Sequence, residues 1–138
     1  MDKNVAIKYV MTKEVIVANV SNKFSQLMEF FNTYRIQHLP VTLGDRLVGI
    51  LSINDLLSFV FNNMHGGDQV DNAMLDAKFD MQAVMTKEPI AISPEDTVGK
   101  AFNILAEGRF QALPIVEREK LVGIITNKDL VRVLQKAL

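Results

Sequence analysis

No cysteine occurs anywhere in the 138 residues. Disulfides, cysteine-ligated zinc, iron–sulfur clusters and thiol nucleophiles are therefore excluded. A surplus of one charge is lacking as well: 15 Lys and Arg face 16 Asp and Glu, a formal net charge of −1. Broad nucleic-acid binding needs many cations to displace counterions from phosphates, so no nucleic-acid partner is expected. No apolar run approaches the roughly 20 residues that span a bilayer. The opening Met1-Asp2-Lys3-Asn4 has none of the positive-then-apolar order of a secretory signal. The expectation is a soluble, cytoplasmic protein without membrane insertion.

Catalytic constellations are also missing. With no thiol, two unrelated histidines and no paired acids in one motif, acyl transfer and metal hydrolysis have no candidates, and no enzyme is expected. His65 and Asp68 flank Gly66-Gly67, but one His and one Asp fall far short of a metal-ligand set; the segment reads as linker.

What is present is a repeat. Val10-Met11-Thr12-Lys13-Glu14 recurs as Val84-Met85-Thr86-Lys87-Glu88, an offset of 74 residues (residue 10 to residue 84). The same offset carries Leu39-Pro40 onto Leu113-Pro114, Leu47-Val48-Gly49-Ile50 onto Leu121-Val122-Gly123-Ile124, and Asp55-Leu56 onto Asp129-Leu130. So many matches in one register mark a tandem duplication: residues 1–61, a linker at 62–79, and residues 80–138.

Each copy reads β-α-β-β-α. Val15-Ile16-Val17 and Ile90-Ala91-Ile92 suggest short strands, followed by helix-start signals at Asn19, Ser21 and Asn22 in one copy and Ser93-Pro94-Glu95-Asp96 in the other. Phe24, Leu27, Met28 and Phe31, and likewise Val98, Ala101, Phe102 and Leu105, follow the i, i+3, i+4, i+7 spacing of one apolar helix stripe. Gly108 is placed to end the second of these helices. Strands are expected at about 38–42, 47–52, 112–116 and 121–126, and closing helices at about 54–61 and from 128 onward, with the linker's tail forming a short helix that leads into Met85. Copies of about fifty residues lie near the lower size limit for independent folding. Mutual packing about a pseudo-two-fold axis, with small three-stranded sheets against helices, is the expected α/β (α+β) arrangement.

The order Val-Met-Thr, Leu-Pro-Val/Ile, then Leu-Val-Gly-Ile running into Ser/Thr-x-x-Asp-Leu resembles the CBS domain, and two in tandem resemble a Bateman module. The likeness covers nearly the whole chain and implies a stand-alone regulatory module. Its members bind AMP, ADP, ATP, S-adenosylmethionine or other adenosyl ligands in clefts between the two repeats, often as homodimers, and signal to an attached or associated protein. No cofactor is required.

The sharpest local features are the strand-to-helix turns holding Ser52 and Asp55, and Thr126 and Asp129. As capping boxes they satisfy free helix-start N–H groups and are worth roughly 1 kcal/mol. The same atoms suit a nucleotide: the carboxylate accepts ribose hydroxyls, while the hydroxyl and helix-start N–H groups receive phosphate. The resemblance implies that Thr12 and Val17 face the site completed by Thr126 and Asp129. It likewise sets Thr86 and Ala91 before Ser52 and Asp55. The backbone of Ile36-Gln37-His38 and of Phe110-Gln111-Ala112 would meet the adenine. His38 aligns with Ala112, so the two clefts are not equivalent, and at most one tight site is expected; a histidine there could meet phosphate in a charge state that shifts near neutral pH. Arg35 and Arg109 sit at helix ends, where cations are favoured in any case. Gly49 and Gly123, mid-strand, point to a bulge or a close backbone approach. Two functions fit: an adenosyl-ligand sensor, or a ligand-free dimerisation or protein-association module.

Overall fold

The computed structural model describes residues 2–67 and 69–138. The chain forms two compact units, each built from parts of both sequence repeats.

The first, here the Asp55 unit, comprises Ile16–Gly44 and Val48–Glu88. It holds β1 (Ala18–Asn19), α1 (Phe24–Tyr34), β2 (His38–Leu43), the bulk of β3 (Arg46–Ser52), α2 (Ile53–Asn62), α3 (Asn72–Lys78), α4 (Met81–Val84) and β4 (Thr86–Lys87). Its strands lie in the order β1-β2-β3-β4. β1 is parallel to β2, with Ala18 opposite Val41, and β4 is antiparallel to β3, with Thr86 opposite Ile50.

The expected strand over Val15-Ile16-Val17 is shorter and later. Pairing starts only at Ala18, the first residue of the segment to be fully buried, whereas Val17 is exposed. The helix-start signals Asn19, Ser21 and Asn22 form a turn ahead of α1, with the Asn19 N–H donating to Asn22 Oδ1 at 2.7 Å. Lys23 takes the N-cap position, its N–H donating to Gln26 Oε1 at 2.9 Å. The apolar stripe of α1 then buries Phe24, Leu27 and Phe31 against Leu39, Val41, Leu51 and Leu56. Phe24, Phe59 and Phe79 pack as an aromatic trio, with ring centroids 5.2–6.2 Å apart.

Part of the segment at 62–79 is integral to this core. α3 buries Leu75, and its Asp76 accepts both the N–H and the hydroxyl of Ser25, each at 2.8 Å, at the start of α1. Those two bonds hold the Asp76 carboxyl below its ordinary value.

The second, the Asp129 unit, comprises Met1–Val15, Asp45–Leu47 and Pro89–Leu138. It contains a 3-10 turn at Ile7–Tyr9, α5 (Val98–Ala106), β5 (Ala112–Glu117), β6 (Lys120–Thr126) and α6 (Asn127–Ala137). β5 and β6 form an antiparallel hairpin with Leu113 opposite Ile125. Ile92 alone of the expected strand over Ile90-Ala91-Ile92 pairs, in a parallel bridge to Ile115; Ile90 and Ala91 are exposed. Helix α5 starts later than the Ser93-Pro94-Glu95-Asp96 signal. That stretch folds as a turn, and Thr97 caps α5 by accepting the Lys100 N–H at 3.1 Å. Gly108 follows the helix at φ +81°, as a terminating glycine requires.

The N-terminal arm is stitched into this unit by main-chain bonds: Ile7 N–H to the Asp96 carbonyl (2.7 Å), Val98 N–H to Val5 (2.8 Å) and Gly99 N–H to Lys3 (2.8 Å). Ile7 is fully buried among Val98, Leu113, Ile115 and Ile125. Thr12 then pairs with Ile124 through two bonds of 2.9 and 3.0 Å. Each repeat's Met-Thr segment thus docks on the Gly-Ile strand of the other repeat.

The mid-strand glycines are what that docking needs. A Cβ on Gly49 would lie 2.5 Å from Met85 Sδ and 2.9 Å from the Thr86 carbonyl oxygen; on Gly123 it would lie 2.6 Å from Met11 Sδ and 3.0 Å from the Thr12 carbonyl oxygen. Close backbone approach, rather than a phosphate loop, accounts for both.

Candidate functional site

Each unit carries one strand-to-helix turn with its Ser/Thr-x-x-Asp capping box. In the Asp55 unit the Ser52 N–H donates to Asp55 Oδ2 at 2.8 Å, and the Asp55 N–H donates back to Ser52 Oγ at 3.0 Å. In the Asp129 unit the Thr126 N–H donates to Asp129 Oδ2 at 2.8 Å, and Thr126 Oγ1 lies 3.3 Å from the same oxygen. The capping role is therefore realised at both helices.

The surroundings differ sharply. Asp129 is 6% exposed, and its Oδ1 accepts the Thr12 hydroxyl at 2.9 Å, with Arg132 Nη1 at 3.6 Å. Thr12, Thr126 and Asp129 are thus brought together as the resemblance implied. Arg132 was not legible as part of the group; the signal was its mismatch with Ser58, its counterpart at the same offset. Asp55 is half-buried, and Thr86 is exposed and makes no bond to it, although Thr86 occupies the register of Thr12.

His38 begins β2 in the Asp55 unit, half-buried where Ala112 is buried in the other. Burial pushes its imidazole below the ordinary 6.5, and the neighbouring Asp55 carboxylate pulls the other way without cancelling it. The ring is therefore predominantly neutral at pH 7.

The backbone that the resemblance set against adenine is partly engaged in hydrogen bonds. The Gln37 carbonyl accepts the first helix N–H of α2, from Ile53, at 2.9 Å, and the Gln111 carbonyl accepts that of α6, from Asn127, at 3.3 Å. Both glutamine side chains are exposed, while Ile36 and Phe110 are half-buried. Arg109 lies over the Phe110 ring at 5.5 Å and pairs with Glu107 at 3.1 Å. Val17 and Ala91 are exposed; Val17 belongs to the Asp55 unit and Ala91 to the Asp129 unit. Asp68 lies outside the described residues, and among the described residues no three His, Asp or Glu side chains gather as metal ligands.

Both halves of the chain match the CBS domain family model, at residues 7–62 and again at 81–136. The chain belongs to the CBS domain family. Its CBS repeats are similar to part of an inosine-5'-monophosphate dehydrogenase of Korarchaeum cryptofilum, 30% identical over 85% of this chain but 22% of that enzyme. The chain spans no more than about half the length of the next curated relatives it matches. Among solved structures, the CBS domain pair of protein MJ0100, in complex with 5'-methylthioadenosine and S-adenosyl-L-methionine, superposes with a TM-score of 0.78 at 20% identity, covering 97% of this chain and 98% of that one. CBSX2 of Arabidopsis thaliana in complex with AMP gives 0.78 at 23% identity, covering 96% and 97%. At these identities the likeness establishes the CBS-pair fold. Among the described residues, no helix of this CBS pair is long and apolar enough to cross a membrane.

Proposed function

We propose that this CBS pair is a non-enzymatic regulatory module that binds an adenosine-containing ligand and passes its occupancy to a partner protein. The observation that carries the reading is the half-buried Asp55 carboxylate beside Ser52 and His38 at the start of α2. Asp55 would accept ribose hydroxyls, and Ser52 with the helix-start N–H groups would receive phosphate. Asp129 and Thr126 would repeat the arrangement, with Thr12, Thr86, Val17, Ala91 and the backbones of Ile36-Gln37-His38 and Phe110-Gln111-Ala112 lining the sites. The complexes of MJ0100 and CBSX2 with adenosyl compounds support this choice of ligand class.

A thermal-shift panel of AMP, ADP, ATP, S-adenosylmethionine and 5'-methylthioadenosine tests it. At a hundredfold excess over Kd a ligand adds roughly 2.7 kcal/mol, which for a chain of this size raises Tm by roughly 6–15 °C. The shift should disappear in Asp55→Asn. A bound phosphate raises the His38 pKa above its depressed ligand-free value, so phosphorylated ligands should bind more tightly as pH falls from 8 to 6. The response to 5'-methylthioadenosine should not change over that range. A flat response to every compound overturns the reading and leaves association as the function.

A homodimer is the second part of the proposal. Helix α2 exposes Leu57 and Phe61, and α6 exposes Val131 and Leu134, two apolar stripes left open among the described residues. Light scattering should give the mass of two chains, falling to one in a Phe61→Asp, Leu134→Asp variant. A single-chain mass for the unaltered protein rejects the dimer.

A further inference from the structure

The two capping-box carboxylates differ in how many donors the protein already supplies. An ionised carboxylate offers about four lone-pair sites. At Asp129 three protein hydrogen bonds occupy them, from the Thr126 N–H at 2.8 Å, the Thr126 hydroxyl at 3.3 Å and the Thr12 hydroxyl at 2.9 Å, and Arg132 adds an ion pair at 3.6 Å. At Asp55 the Ser52 N–H binds Oδ2 at 2.8 Å, and Oδ1 accepts no hydrogen bond among the described residues. The repeat register would allow the same crowding there, since Thr86 lies opposite Ile50 as Thr12 lies opposite Ile124. Yet Thr86 is exposed and donates nothing to Asp55, and serine replaces the arginine at position 58.

We propose that the Thr12 hydroxyl is an internal competitor for the Asp129 carboxylate, so that Asp55 is the open ligand site and Asp129 a gated one. This rests on the adenosyl-ligand reading and adds its regulation. A ribose reaching Asp55 gains hydrogen bonds on a free oxygen. One reaching Asp129 must first displace Thr12, exchanging one charge-assisted bond for another with little net gain. Displacement also has a mechanical consequence. Thr12 is the last residue of the arm fastened through Lys3, Val5 and Ile7 to α5 and its preceding turn, and its main chain is paired with Ile124. Filling the Asp129 site therefore acts on the N-terminal arm, whereas filling the Asp55 site leaves the arm as it is. Occupancy of the second site becomes a signal available only at higher ligand concentration.

Calorimetric titration of AMP and S-adenosylmethionine into four proteins tests the gate: the unaltered chain, Thr12→Val, Thr12→Ser and Asp55→Asn combined with Thr12→Val. The unaltered chain should bind one equivalent tightly. Thr12→Val should add a second event at least about tenfold tighter than any weak second site in the unaltered chain, the factor expected when a bond to a buried charge no longer competes. Thr12→Ser retains the donor, so any second event should stay well short of the gain seen in Thr12→Val; a second event as tight as in Thr12→Val would overturn the gate. The double variant should keep only the ungated Asp129 site. Binding to the unaltered chain that is unchanged or weaker in Thr12→Val overturns the gate alone and makes Thr12 a plain ligand contact. Binding to neither protein overturns the gate together with the adenosyl reading.

Discussion

Replacing Gly123 by valine should lower Tm by about 10 °C or more, a loss of about 3 kcal/mol, the upper part of the range for overpacking because backbone rather than a flexible side-chain end blocks the new atom. The Cβ would lie 3.0 Å from the Thr12 carbonyl oxygen and 2.6 Å from Met11 Sδ. The thioether can move; the carbonyl cannot, because the Ile124 N–H holds it at 3.0 Å in the same bridge. Relief therefore requires the Met11-Thr12 segment to leave β6. That breaks two main-chain bonds and withdraws the Thr12 hydroxyl from Asp129. Gly49→Val should behave alike through Met85 and Thr86. Gly66→Ala is the control: nothing lies within 4 Å of its Cβ, and the change should stay within about 0.5 kcal/mol. Thermal unfolding of the three variants checks the ranking, and a Gly123→Val protein as stable as Gly66→Ala would show that the docked segment contributes nothing to the fold.

The same glycines show where the sequence is legible and where it is not. The duplication, the Leu-Pro strands, the apolar stripes of α1 and α5 and both Ser/Thr-x-x-Asp turns are local patterns, and the structure realises each of them near its expected place. The partner of each Met-Thr segment is a different kind of fact. Val-Met-Thr-Lys-Glu is identical in both copies, so nothing within it states which Gly-Ile strand it will join. Only the family resemblance pointed Thr12 toward Asp129. The close fit over Gly49 and Gly123 was readable as a tight approach, but not what approaches. Asp76 shows the same limit: a carboxylate in a segment read as linker meets Ser25 across 51 residues of sequence. The asymmetry at His38 against Ala112 was visible as a mismatch, yet its larger counterpart, the crowded Asp129 against the open Asp55, arises from side-chain placement that identical motifs conceal.

That asymmetry has a direct consequence for stability. Asp129→Ala should cost about 3 kcal/mol and Asp55→Ala about 1 kcal/mol, although the two residues occupy equivalent places in matching helices. Both substitutions remove a capping-box carboxylate from a helix start. At Asp55 little more is lost, because Ser52 still accepts the Asp55-position N–H and the half-buried turn admits water to the freed Ser52 N–H. At Asp129 the carboxylate is 6% exposed, so alanine leaves the Thr126 N–H and the Thr12 hydroxyl facing a space that water reaches poorly. Arg132 loses its counter-charge too, but it is exposed and water replaces that contact at small cost. Unsatisfied buried donors cost about 1–3 kcal/mol each, so the difference between the two variants, about 2 kcal/mol, measures what Thr12 and burial add to an ordinary helix cap. Asp129→Asn keeps one acceptor oxygen and should recover about half of the loss. Chemical denaturation with the three variants side by side decides the matter: equal losses at Asp55 and Asp129 would mean that the Thr12 bond carries no net free energy, and with it the barrier that keeps the Asp129 site gated would vanish.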